Sequence, residues 1–146
     1  MNYKNIICPV DGSELGDKAL GHAVYLSKIS GGKLILLHVS EKGYRLAHVA
    51  TDSREWQVLH ESWLNEGREL LGKEGQKAVK EGLTSYELVI RDGEASNEIV
   101  AEAYDKGADL IVMASHRYSP VGKLFMGSII DKVTKRAPCP VLWVFN

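Results

Sequence analysis

Five short apolar runs recur along the chain, separated by stretches of helical character. They are Asn5 to Val10, Lys33 to Val39, Ser85 to Arg91, Asp109 to Ala114 and Val141 to Phe145. The first, second and fourth are nearly continuous in Val, Ile and Leu, which marks strands covered on both faces, as in a parallel sheet flanked by helices. The third sets Tyr86, Leu88 and Ile90 against Glu87, Val89 and Arg91, an alternation that suits an edge strand. Glu14 to Ile29 places Leu15, Ala19, Ala23 and Leu26 on one helical stripe and stops at Gly31-Gly32. Ser53 to Glu81 predicts a long charged helix, Glu94 to Asp105 a shorter one, and Gly127 to Arg136 a third that Pro138 forbids to continue. Strand and helix alternating throughout predict right-handed crossovers and a single doubly wound, Rossmann-like α/β domain over residues 1–146. Lys42 to Asp52 carries no periodic signal and reads as a flexible segment.

Composition removes several function classes. A formal net charge of −1 offers no clustered basic excess for nucleic acid. No apolar run approaches the ~20 residues that cross a bilayer, and Met1 to Val10 is followed by no cleavage signal. The expectation is a cytoplasmic protein with neither membrane nor nucleic-acid partner. Cys8 and Cys139 lie in apolar segments without redox or metal spacing and read as small buried hydrophobes. His22, His38, His48, His60 and His116 show no ligand spacing, so no metal is expected. Trp56 and Trp63 share a helix face and read first as core packing, with an exposed partner surface as the alternative. His48 and His60 read as polar surface residues.

In an open parallel sheet, ligands gather outside the carboxyl ends of the strands. That rule selects the loops beginning at Asp11, Ser40, Asp92 and Ser115. In P-V-D-G-S, Asp11 offers a carboxylate to a ribose or to the amino group of a base; equally, Asp11 or Ser13 caps the helix that follows. In the loop from Met113 to Ser128, Gly127-Ser128 opens a helix and presents backbone N–H groups and a hydroxyl to a phosphate. His116, Arg117 and Lys123 add donors, enough for a local anion site on a nearly neutral chain. The competing reading is a surface loop whose glycine permits close packing of helix on strand.

The segments I-I-C-P-V-D-G-S, A-D-L-I-V-M-A-S-H-R, G-S-I-I-D-K-V and A-P-C-P-V-L-W-V stand in that order. Together they resemble the universal stress protein family over nearly the whole chain. The resemblance implies a five-stranded parallel sheet of order 3-2-1-4-5 with helices on both faces. It implies a homodimer formed partly through the last strand, and ATP binding through a loop of the form G-x2-G-x9-G-(S/T). Carried onto this chain, it sets Gly127 and Ser128 on the phosphates, Asp11 beside ribose and adenine, the backbone of Val39 on the adenine edge, and Pro9 and Met113 against the base. Ala114 and Arg117 stand where the pattern has its leading glycines, Pro120 where a further glycine is common, and Met126 just before the final one. The candidate site is therefore Pro9, Asp11, Val39, Met113, Ala114, His116, Arg117, Lys123, Met126, Gly127 and Ser128. The final apolar strand would be an exposed hazard unless covered. Pairing Val141, Leu142, Trp143 and Val144 with the same strand of a second copy covers it.

The reading that follows is a small stress-response or signalling protein that binds ATP, with or without Mg²⁺, or AMP, and acts as a dimeric switch. No carboxylate pair for magnesium and no general base flanks the loop, so any ATPase activity is expected to be slow at most. The alternative is a dimeric interaction module that no longer binds nucleotide, with Arg117 and Pro120 as its signs. An enzyme of the wider adenine-nucleotide hydrolase-like group would show an S-G-G-x-D-S loop after the first strand, where this chain reads D-G-S-E-L-G.

Overall fold

A computed structural model describes residues 1–46, 53–116 and 127–146. Its elements are β1 (Asn5–Pro9), α1 (Glu14–Ser30), β2 (Lys33–Ser40), α2 (Lys42–Arg45), α3 (Arg54–Lys80), β3 (Tyr86–Asp92), α4 (Ala95–Asp105), β4 (Leu110–Ser115), α5 (Ser128–Arg136) and β5 (Val141–Phe145). The strands form one parallel sheet, as the sequence pattern predicts, in the order β3-β2-β1-β4-β5 that the resemblance implies. β1 lies at the centre, and β3 and β5 are the edges.

Because strand side chains alternate between faces, the apolar runs divide into two cores. Ile6, Cys8, Leu34, Leu36, Leu110 and Val112 face α1 and α3. Ile7, Ile35, Leu37, Ile111 and Met113 face α4 and α5. Cys8 is fully buried, and burial, then the charges of Glu74 and Asp11, push its thiol pKa well above the usual value. Cys139 is only half-buried, short of the expected core position.

Three helical expectations need correction. α1 buries Gly16, Ala19, Leu20, Ala23, Val24 and Ser27, so its inner face is rotated from the expected stripe and Leu15 and Leu26 sit at its flank. α3 buries only Gly67, Leu71, Glu74, Gly75 and Ala78, all from its second half. Trp56 and Trp63 belong to the undocked half and enter neither core; they pack edge to face at 5.7 Å. Lys42–Arg45 is helical although no periodicity announces it. Tertiary contacts hold this turn: Lys42 pairs with Glu66 of α3 at 2.8 Å, and Gly43 packs against His60 and Asp92; within the turn, Arg45 pairs with Glu41 at 3.3 Å. His60 is accordingly no mere surface residue, since it is hydrogen-bonded to Asp92 and stacked on Trp56. His48 lies outside the described residues.

Charge closes the β3 edge against α4. Glu87 accepts from Lys106 at 2.6 Å and Lys33 at 3.1 Å, which hold its carboxyl below the usual range. Burial opposes the charge on Arg91, but Glu98, Glu102 and Asp105 accept from it at 2.8, 3.0 and 3.2 Å and keep its pKa raised.

Glu74 lies on the opposite face, 2% exposed, and its Oε2 has no partner. Burial, then contact with Asp17, raises its pKa despite the Lys77 ammonium at 3.1 Å. A folded-state pKa raised above the unfolded value contributes stability at low pH that is lost as pH rises through it. Glu74→Gln removes that loss. Its melting temperature should therefore exceed that of the unaltered protein at neutral pH, and the gap should close as pH falls toward about 4, the ordinary glutamate range. Thermal melts across that range check this, and a gap independent of pH would contradict it.

Candidate functional site

The site begins with a missing hydrogen atom. In β1, the even residues bond toward β2, as Val10 N–H donating to the Leu37 carbonyl at 2.8 Å shows. The odd residues therefore bond toward β4, and their register runs only through Ile7 opposite Ile111. The next odd residue is Pro9, which has no N–H to continue the ladder. The central strand ends there while both neighbours run on, β2 to Ser40 and β4 to Ser115.

The same parity aims two neighbouring backbones into the gap. Ser40 carbonyl accepts from Gly93 on the β3 side at 3.0 Å, so Leu37 and Val39 point the other way, toward β1. Ile111 N–H donates to Pro140 on the β5 side at 3.0 Å, so Val112 and Ala114 point toward β1. Beyond Pro9, the N–H and C=O groups of Val39 and Ala114 thus face one another across an opening. Ala114 sits in extended strand, and among the described residues no residue other than glycine has positive φ. Replacing a family glycine there carries no backbone strain.

The opening is a cavity of about 490 Å³, within the usual range for small-molecule sites. Pro9, Val39 and Met113 form its floor, with Ile99 of α4 and Ile130 of α5 as walls. Asp11, Ala114, Ser115, His116, Gly127 and Ser128 ring its mouth. The structure thus gathers Pro9, Asp11, Val39, Met113, Ala114, His116, Gly127 and Ser128 in one place. Arg117, Lys123 and Met126, with Pro120, fall outside the described residues.

Asp11 and Ser13 divide the work that the sequence left open between them. Ser13 is the N-cap of α1, accepting from Gly16 N–H at 3.0 Å. Asp11 Oδ1 accepts from Ser13 N–H at 3.0 Å and Ser13 Oγ–H at 2.6 Å. The carboxylate therefore reaches its place through the cap and remains exposed at the cleft. At the other side, Gly127 is the N-cap of α5, and no side chain among the described residues caps that helix. Its first-turn N–H groups and the exposed Ser128 hydroxyl stand at the cleft, an arrangement suited to an anion.

Sequence reasoning missed several lining residues. Ala95 and Ile99 are four apart on α4 and belong to the helix after β3, although Asp92 at that loop is taken up by His60 instead. Ser115 is buried, and Gly127 packs close to its hydroxyl. Only the strand after which each residue falls would have pointed to them.

The close fit at Asp11 gives a test. A Cβ on Gly16 would stand 2.8 Å from Asp11 Oδ1 and 3.0 Å from Ser13 Oγ. Glycine to alanine inside a helix ordinarily stabilises by roughly 1 kcal/mol. Gly16→Ala should instead destabilise, because the cap and the carboxylate must move. Urea denaturation decides the sign.

Comparison with known proteins places this geometry. The profile of the universal stress protein family matches residues 2–144. The universal stress protein YxiE of Bacillus subtilis is 34% identical, over 97% of this chain and 99% of its own. The solved structure of MJ0577, from Methanocaldococcus jannaschii, is 26% identical with a TM-score of 0.82, covering 100% of this chain and 98% of its own. A universal stress protein in complex with cAMP is 23% identical with a TM-score of 0.78, over 99% and 98% of the two chains. One from Archaeoglobus fulgidus in complex with dAMP is 22% identical with a TM-score of 0.68, over 99% of each.

Proposed function

This chain belongs to the universal stress protein family, and we propose that it is a stress-response protein binding an adenine nucleotide at the carboxyl ends of its sheet. The observation that carries this reading is one cleft holding an apolar slot, inward-facing strand backbones, a carboxylate and an uncapped helix start. Pro9, Val39 and Met113 accommodate the flat face of a base. Val39 N–H and C=O supply the donor and acceptor that an adenine edge complements. Asp11 Oδ1 is engaged by Ser13, which assigns Oδ2 to a ribose hydroxyl. Gly127 and Ser128 receive phosphate, with His116 beside them and Arg117, Lys123 and Met126 assigned to the same loop. Two structural neighbours hold cAMP and dAMP, which makes adenine nucleotides the class to test. ATP with or without Mg²⁺ and AMP are the ligands to compare.

The functional unit is a homodimer, in which nucleotide occupancy changes the surface offered to a partner protein. β5 is an outer strand of the sheet among the described residues, with Leu142 exposed, and Val141, Leu142, Trp143 and Val144 are the residues that a second copy would pair. Trp143 is oriented for this by its indole N–H, which donates to Thr134 of α5 at 3.0 Å.

Titration calorimetry with Mg·ATP and with AMP, after removal of co-purified nucleotide, tests the ligand. Binding should weaken about tenfold in Asp11→Asn and in Ser128→Ala, the worth of one hydrogen bond to a charged group. Absence of heat with either nucleotide, and of bound nucleotide on purification, would leave the interaction module as the account. Light scattering tests the assembly: the unaltered chain should run as a dimer and Leu142→Lys as a monomer.

A further inference from the structure

His38 takes no part in the nucleotide contacts above, yet it is the side chain on which the Asp11 turn rests. Its backbone belongs to β2, and its ring lies on the α1 and α3 side of the sheet, half-buried, at the boundary between the main cleft and a smaller cavity of about 290 Å³. Nδ1 stands 2.9 Å from the Val10 carbonyl oxygen. A carbonyl only accepts, so Nδ1 carries the hydrogen. Val10 is the residue between the proline that ends β1 and Asp11. Its N–H is already bound to Leu37, so the His38 bond fixes the second backbone polar group of the same residue, and the peptide links on both sides of Val10 are held. With both groups held, the direction in which the chain leaves β1 is set.

A second observation shows that the fold makes room for this ring. Gly67 lies inside α3 and is buried, where alanine would ordinarily be preferred. A Cβ there would come within 2.9 Å of His38 Cδ2 and 2.5 Å of Ile90 Cδ1. The helix therefore presents bare backbone to the imidazole and keeps it pressed toward β1.

We infer that His38 is a positioning residue of the site: its Nδ1–H holds the Val10 carbonyl and thereby sets Asp11 for the ligand. The inference rests on the nucleotide reading for the ligand and on geometry alone for the clamp. Asparagine places an amide N–H where imidazole has Nδ1, glutamine reaches where it has Nε2, and phenylalanine keeps the ring without a donor. Calorimetry with Mg·ATP and AMP on His38→Asn, His38→Gln and His38→Phe separates donor from shape. Affinity should fall about tenfold in His38→Phe and His38→Gln, and His38→Asn should restore most of it. Equal losses in all three, or none in any, would overturn the inference. Nitrogen-15 spectra of the unaltered protein at mildly alkaline pH should show the Nδ1–H tautomer; an Nε2–H tautomer would overturn the clamp. If the unaltered protein binds neither nucleotide, the ligand role falls together with the nucleotide reading, and the tautomer alone decides whether the clamp stands.

Discussion

The site exists because every backbone group in the sheet must find a partner and one of them has no hydrogen to give. Pro9 sits at the carboxyl end of the central strand, on the side that bonds to β4. A proline amide cannot continue the ladder, so β1 stops and β2 and β4 part around its end. Three consequences meet at that point. Two strands expose correctly aimed peptide groups, helix α1 begins just past β1 through the Ser13 cap, and α5 begins at Gly127, close to the Ser115 hydroxyl at the end of β4, with no side-chain cap among the described residues. In a doubly wound sheet this is where the winding reverses. The topology sets the place of the reversal, and the missing proline hydrogen ends the β1–β4 ladder there.

Electrostatics then separates the parts that must stay closed from the part that must stay open. At the β3 edge, Glu87 and Arg91 are each surrounded by opposite charges from α4 or β2, which tie that strand to its neighbours. Buried carboxylates are tolerated only with partners; one oxygen each of Glu102 on this face and of Glu74 on the opposite face has none among the described residues. At the cleft the pattern reverses. Among the described residues Asp11 is held by neutral donors from Ser13 rather than by a cation. A chain of net charge −1 can in this way offer an acceptor at one side of a cavity and helix N–H donors at the other.

How much of this was legible depended on whether the signal was local. β1, β2 and β4 are covered on both faces, and Ile6, Ile35 and Val112 announce it. The alternation in β3 gave its edge position, and Gly31 and Pro138 bracket helix ends as expected. Trp56 and Trp63 were misjudged because periodicity reports which residues share a helix face and not how far the sheet extends beneath it; α3 outruns its support. Lys42–Arg45 was missed because its stability comes from Glu66, His60 and Asp92, all distant in sequence. Within the site, Asp11, Gly127 and Ser128 were found from their places after strands and before helices. Ile99, Ser115 and His38 were not, since their roles depend on ladder parity and on a glycine in another helix.

That dependence on parity makes the strand backbone of the cleft insensitive to many substitutions in this chain. Val39 and Ala114 contribute peptide groups whose direction is set by register, and register survives any substitution that preserves the buried alternation. A glycine replaced by Ala114 leaves its N–H and C=O where they were, because extended strand accommodates a Cβ freely. Constraint is instead concentrated where a backbone cannot substitute for chemistry. Those places are the proline that opens the gap, the Ser13 cap that sets Asp11, and the bare helix surfaces at Gly16 and Gly67 against which a carboxylate and an imidazole lie. Divergence among relatives should therefore be permissive along the strands of the cleft and strict at these few residues, since only there does a side chain, or its absence, define the geometry.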